Sequence, residues 1–258
     1  MKGFLIAIQF LTIIPVPSAL FSYVCGYGYD DARYSDADVG VSSAYFPLVG
    51  CFIGLLLAAL AFTLEVFFPI QLTAVLVLAA KALITGGLHL DGLSDTVDAI
   101  SCRRDRAAKL QIMKGGAAGP AGVTALVLIL LMQYICIQQV VTHSMLMIVL
   151  APVIGRYAAV FALYIGKSAK NSGLGRTFIE NTNRREFLIA TFFTIIISIV
   201  VSVFSANLII FLITYIFVIA AVKTFQMQFG GLTGDSIGTI IECTETLVLL
   251  ITVLLVHQ

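Results

Sequence analysis

The 258 residues are 60% hydrophobic and 11% charged, with a mean hydropathy of +1.04, well beyond the apolar share of a water-soluble domain. This excludes an ordinary globular enzyme and predicts an all-α integral membrane protein, since scattered long apolar runs span hydrocarbon as helices. A net charge of +1 supplies no field for nucleic acid, so no nucleic-acid partner is expected.

Met1 to Ile14 is an apolar run with one Lys, closed by Pro15 and Pro17. It has the outline of a signal peptide, but no small-residue cleavage site follows, which predicts a retained interfacial or re-entrant helix. Further runs long enough to span lie near 46–68, 70–90, 119–141, 144–165, 187–204, 208–224 and 240–256, about seven transmembrane helices in all. No composition shift divides them, so residues 1–258 read as a single polytopic membrane domain. The connections around Pro69, Thr142–His143 and Ser205–Asn207 are short, whereas 91–118, 166–186 and 225–239 are long and polar. Apart from Lys81 and Arg156, every Lys and Arg lies in or beside a long loop or in the N-terminal segment. Positive-inside logic then places the N-terminus and all three long loops in the cytoplasm and the C-terminus outside, as in a multi-pass protein of a bacterial or archaeal cytoplasmic (inner) membrane. Cys25, Cys51, Cys102, Cys136 and Cys243 are scattered without a C-x-x-C pair, which argues against a disulfide framework or a zinc site.

The most informative stretch is Gly86-Gly87-Leu88-His89-Leu90-Asp91-Gly92-Leu93-Ser94-Asp95-Thr96-Val97-Asp98. Asp91, Asp95 and Asp98 are spaced i, i+4, i+7, so on a helix they share an arc of roughly 60°. Three anions on one line repel unless cations neutralise them, and an oxygen-only carboxylate set suits Mg²⁺ completed by phosphate. A solvated polar cap on a membrane helix is the plainer alternative. His89 would point away from Asp91 on a regular helix, so its use as a ligand needs a break near Gly92; base, ligand and structural donor all stay open for it.

A second acidic set, Asp235, Glu242 and Glu245, follows Gly230-Gly231-Leu232-Thr233-Gly234. A helix starting near Asp235 aligns Asp235 with Glu242, and exposed amides at its start attract phosphate. A helix break near Gly234, with the one near Gly92, is expected to turn both sets toward one cytoplasmic cavity. A capped Gly-rich turn is the alternative. Lys81 and Arg156 lie within apolar runs, where a charge must be paired or functional; Lys81 divides evenly between structural pairing and function, and Arg156, with its guanidinium fork, favours phosphate binding. Lys114 before a Gly-rich turn and Arg176 between Gly175 and Thr177 fit either a phosphate loop or a solvated basic loop. His143 and His257 have no supporting neighbours.

Taken together, Gln9 to Pro17, Phe46-Pro47-Leu48-Val49-Gly50 with Gly54, Thr85 to Asp98, Gln111 to Lys114, Gly173-Leu174-Gly175 with Phe178-Ile179, and Gly230 to Asp235 with Gly238, Glu242 and Glu245 resemble the cobalamin 5′-phosphate synthase family, also called adenosylcobinamide-GDP ribazoletransferase. The resemblance covers nearly the whole chain. It implies a membrane phosphotransferase in which a hydroxyl of α-ribazole, or of its 5′-phosphate, attacks the cobinamide-proximal phosphorus of adenosylcobinamide-GDP and expels GMP. It further implies Mg²⁺, or Mn²⁺, on Asp91, Asp95, Asp98, Asp235, Glu242 and Glu245. Catalytic roles would fall to Asp91, Asp95, Asp98 and His89, with Asp98 as the base, and substrate contacts to Lys114, Arg156, Arg176, Gly231, Thr233 and Gly234. Membrane lipid is an expected partner, and a homo-oligomer is left open. Family members usually carry Asp-Ser-Arg after the basic residue, where this chain has Gly115, Gly116 and Ala117. Two competing readings are a CDP-alcohol phosphotransferase, whose pattern lacks the His and follows Asp-Gly with Ala-Arg, and a cation or solute transporter with intramembrane carboxylates.

Overall fold

The computed structural model describes residues 2–17, 35–143, 145–169, 173–201 and 204–256. Cys25, Arg33, Lys170, Asn171, Ser172 and His257 lie outside these residues. The described residues form helices α1 (Lys2–Leu11), α2 (Asp36–Ser43), α3 (Phe46–Leu64), α4 (Ile70–Ile84), α5 (Leu88–Ser101), α6 (Arg106–Ile112), α7 (Pro120–His143), α8 (Met147–Ile165), α9 (Leu174–Asn181), α10 (Arg184–Val201), α11 (Phe204–Phe229) and α12 (Gly234–Val256).

Five of them, α3, α7, α8, α11 and α12, are long and apolar enough to cross a membrane, and α4 with α5 makes a sixth if that bent pair is one span. This revises the expected count of about seven. The run at 187–204 does form a helix, α10, but its first turn carries Arg184, Arg185 and Glu186, too many charges for a wholly apolar span of its 18 residues. The run at 70–90 stops early. At α1, 10 residues rise only about 15 Å, half a hydrocarbon core.

The centre is α8, buried from Met147 to Leu163, as expected of a helix apolar on every side. Small residues bring its neighbours close. A Cβ on Gly54 of α3 would lie 2.6 Å from Val149 Cα, and one on Gly155 of α8 would lie 2.7 Å from Glu245 Cγ on α12. Without a hydrophobic drive between helices in lipid, such close backbone approach is what holds a bundle together.

Between α4 and α5 the chain turns by 86°. Gly86 and Gly87 make that turn with φ of +63° and +70°, a conformation that costs a residue with a Cβ and is open to glycine. The break expected near Gly92 therefore falls one and a half turns earlier, and α5 runs helically through Gly92.

The polar connections gather at one end. Lys109 Nζ donates to Gln228 Oε1 at 2.5 Å and Arg106 to the Met227 carbonyl at 3.3 Å, while Leu232 N donates to Lys167 O at 2.7 Å. The N-terminal helices join this end through Phe10, whose ring lies 4.4 Å from that of Phe178 on α9, and through a hydrogen bond of 3.1 Å from Thr182 to Ser43. Lys2 pairs with Asp38 at 2.8 Å, tying α1 to α2. Partial burial works to raise the Asp38 carboxyl, but the Lys2 ammonium and the Ser35 hydroxyl outweigh it and hold the group below its usual range.

Candidate functional site

The site is created where α5 crosses the start of α12. A Cβ on Gly92 would lie 2.7 Å from the Asp235 carbonyl oxygen, and one on Gly238 would lie 3.2 Å from His89 Cα. Thr239 Oγ1 donates to Gly92 O at 3.0 Å and fixes the register. Two glycines thus replace the side chains that would hold the helices apart, and the residues flanking them, His89, Asp91 and Asp235, come to line one cavity of about 150 Å³. The expected approach of the two acidic sets is what the structure contains for Asp91 and Asp235. A second, more open cavity of about 640 Å³ meets the first at Phe10, Leu88 and Asp91 and is walled by Gln9, Thr12, Thr85, Gly86, Gly87 and Ser94.

Along α5 the three aspartates share a face but have different surroundings. Asp91 is exposed at the junction of the cavities, Asp95 is buried, and Asp98 is half-buried. Asp98 Oδ2 accepts from Gly119 N at 2.6 Å and Oδ1 from Gly122 N at 2.8 Å. The two oxygens thus accept the amide of Gly119, the residue before α7, and a first-turn amide of α7 that has no partner inside the helix. Asp98 is therefore placed as the cap of α7 rather than as the base assigned to it from sequence.

The other predicted ligands also divide. Glu242 accepts from Lys81 at 2.8 Å and from Gln133 at 3.0 Å, and Glu245 pairs with Lys81 at 2.5 Å and with Arg156. Gln133 also donates to Thr246 Oγ1 at 2.9 Å. Two cations and two carboxylates, all buried, neutralise one another across α4, α8 and α12, with the Gln133 amide of α7 between them, which accounts for two charges deep in an apolar bundle. Glu242 and Glu245 are thus drawn away from the metal set, and Arg156 from the phosphate contacts. Among the described residues no group of three or more His, Cys, Asp or Glu could hold a metal ion, so the expected six-carboxylate centre does not assemble. His89 is 3% exposed, and its Nδ1 has no hydrogen-bond partner among the described residues.

The loop residues find mixed places. Thr233 and Ser236 form a reciprocal cap at the start of α12, with Ser236 N donating to Thr233 Oγ1 at 3.1 Å and Thr233 N to Ser236 Oγ at 2.8 Å. Gly231 is buried where 230–233 pairs with 167–169; a Cβ there would lie 2.7 Å from Ala169 N. Of the glycine run, Gly234 reaches the cavity. Arg176 sits beside Gly175 on the cavity lip, but its Nε donates to Glu180 at 2.7 Å. Lys114 is exposed, as are Gly115 to Ala118, and Ala118 lines the second cavity with Asp91.

Sequence reasoning gave no site role to three aromatic rings that wall the first cavity, Phe10, Phe46 and Phe178, whose centroids lie 4.4 to 6.0 Å apart. They come from α1, α3 and α9, and no spacing in the chain links them. Gln133, the polar hub of the buried network, carried a signal: it is an amide set mid-helix within an apolar run of α7.

Comparison with known proteins gives one consistent result. Adenosylcobinamide-GDP ribazoletransferase of Geotalea daltonii is 34% identical over 257 residues, covering 97% of this chain and 96% of the relative. The proteins of the same name from Clostridium tetani and Clostridioides difficile are 32% and 30% identical, covering 99% and 100% of this chain. No solved structure matches significantly. The family model for cobalamin-5-phosphate synthase matches residues 3–253, which sets aside the CDP-alcohol phosphotransferase and transporter readings, and the chain belongs to that family.

Proposed function

We propose that the chain joins α-ribazole, or its 5′-phosphate, to adenosylcobinamide-GDP at the junction of the two cavities, with release of GMP. The reading is supported above all by Asp91, the carboxylate shared by both cavities, as a two-substrate transfer requires of its reaction centre. A hydroxyl oxygen of the acceptor forms a bond to the cobinamide-proximal phosphorus. The bridging bond of the diphosphate breaks, GMP leaves with its oxygen, and the hydroxyl proton passes to the protein.

The donor set suits Mg²⁺. Asp91 and Asp235 are hard oxygen ligands on one cavity, and Mg²⁺ is commonly held by one or two carboxylates, with waters and substrate phosphates completing its shell. When bound there, the ion would neutralise charge on the diphosphate oxygens. The first turn of α12, at Gly234 and Asp235, adds amides and the positive end of the helix dipole toward the same oxygens. Asp95, one turn along α5 from Asp91, is buried. His89 lines the same cavity, and its buried Nδ1 has no hydrogen-bond partner among the described residues; in this reading it accepts the hydroxyl proton. The polar end of the bundle faces the cytoplasm in this reading, the side on which nucleotides and Mg²⁺ are available.

The test is GMP release by purified protein from adenosylcobinamide-GDP with each acceptor, across a Mg²⁺ titration. Mg²⁺-dependent release that Asp91→Asn and Asp95→Asn nearly abolish is expected. Gly115→Asp, which supplies the family's usual carboxylate on the exposed loop leading to Ala118, should lower the Mg²⁺ needed. No GMP with either acceptor would overturn the activity. Release untouched by chelation would overturn the metal alone.

A further inference from the structure

The two cavities that meet at Asp91 differ in lining, and the difference assigns the substrates. One arm of the enclosed cavity is formed by Phe10, Leu11, Phe46, Leu163, Phe178 and Ile241, none of which carries a hydrogen-bonding side chain. Phe46 and Phe178 are buried at 0% and 2% exposure, whereas Phe10 is only partly buried and stands between both cavities. The second cavity is walled partly by apolar Ile13, Leu88 and Leu126 and partly by Gln9, Ser94 and the backbone of Gly86 and Gly87, and these polar groups, which the aromatic part of the first cavity lacks, suit phosphate and sugar oxygens.

We propose that the aromatic arm of the enclosed cavity seats the base of the acceptor nucleoside, with Phe10 stacking on its face and Phe46 and Phe178 backing that ring. This rests on the transfer proposed above, which requires two substrates. Of their heterocycles, guanine carries an amide and an exocyclic amine that this arm leaves unpaired, at the cost that lets polar sites and apolar sites discriminate. The benzimidazole of α-ribazole presents two apolar faces, apolar ring edges and a single free nitrogen. Seated there, it directs its ribose toward the Asp91 and Asp235 end of the same cavity. The guanosine diphosphate of the donor is left to the open second cavity, from which a bulky corrinoid can project. Phe10 is then a specificity-determining residue for the acceptor.

The measurement is binding of α-ribazole and of GMP, each by equilibrium dialysis against purified protein in detergent, with KM values for both substrates alongside. Stacking on an aromatic side chain is lost on truncation at a cost that corresponds to roughly tenfold to a hundredfold in affinity. Phe10→Ala is expected to weaken α-ribazole by that factor, and GMP binding and the donor KM by clearly less, since Phe10 only borders the second cavity. Phe10→Leu, which keeps apolar volume without a ring, gives the answer if the alanine variant fails to fold. In wild type, α-nucleosides with exocyclic amine or carbonyl groups should bind less tightly than α-ribazole. Weakened GMP binding with intact α-ribazole binding, or competition between GMP and α-ribazole for one site, would overturn the assignment. A protein that binds α-ribazole through Phe10 yet releases no GMP would sustain this inference while removing the proposed reaction.

Discussion

Asp91 and Glu245 are carboxylates of opposite purpose, and their partners separate them. Glu245 is buried and compensates both Lys81 and Arg156; removing its charge leaves Lys81 to Glu242 and deprives the buried Arg156 guanidinium of its carboxylate. Glu245→Gln is expected to destabilise by about 3–5 kcal/mol, the cost of breaking a buried ion pair on one side. Asp91 is exposed in an anionic neighbourhood, so Asp91→Asn should keep or raise the melting temperature while abolishing turnover, as expected of a residue retained for function. Thermal unfolding in detergent, measured for both variants, decides between them. A large loss at Asp91 with none at Glu245 would reverse the roles. At this scale the sequence was legible for the α5 aspartates, since charge at helical spacing in an apolar chain announces itself. It was not legible for Glu242 and Glu245. A carboxylate held by a metal and one held by Lys81 look alike until the fold brings Lys81 within 2.8 Å of Glu242, from 161 residues away.

At the scale of elements, the glycines show where a single sequence stops informing. Gly86, Gly87, Gly92 and Gly238 lie in similar polar surroundings, yet the first two turn the chain through positive φ and the last two admit a neighbouring backbone. Local sequence does not separate these uses, because the second depends on the helix packed opposite. That is why the break was expected near Gly92. It also explains why the start of α12 was legible: a Gly-rich turn followed by Asp235 signals a helix N-terminus without tertiary information. The element-level prediction is Gly92→Val. Its Cβ would sit 2.7 Å from a backbone carbonyl on α12, which no rotamer change relieves, and overpacking of this kind costs about 1–3 kcal/mol. The melting temperature should fall accordingly. Turnover should fall further than stability does, since the same displacement moves Asp235 away from Asp91. An unaltered melting temperature would mean that the α5–α12 crossing is looser than described.

For the whole molecule, the pattern of charge and the pattern of packing converge on one orientation. The basic connections after α5 and after α8 and the polar connection before α12 touch one another at the end that carries the cavities, a convergence that follows from an alternation of short apolar and long polar loops readable in the chain. What composition could not give was the number of spans, because α5 turns off by 86° and α10 opens on three charges. From the cavity end, α7 rises about 36 Å over its 24 residues, more than the hydrocarbon thickness, which carries the connection near Met145 and Leu146 to the far end. Positive-inside logic then predicts the cavity end in the cytoplasm and Leu146 outside. The test uses single cysteines at Arg104, Arg176 and Leu146 in a chain whose five native cysteines are replaced, probed with a membrane-impermeant maleimide. In intact cells Leu146→Cys should react while Arg104→Cys and Arg176→Cys do not, and inverted membrane vesicles should give the opposite pattern. Reaction of Arg104→Cys and Arg176→Cys in intact cells would invert the protein and place the two cavities away from cytoplasmic nucleotide. Reaction of one but not the other would mean that the basic connections do not share a membrane face.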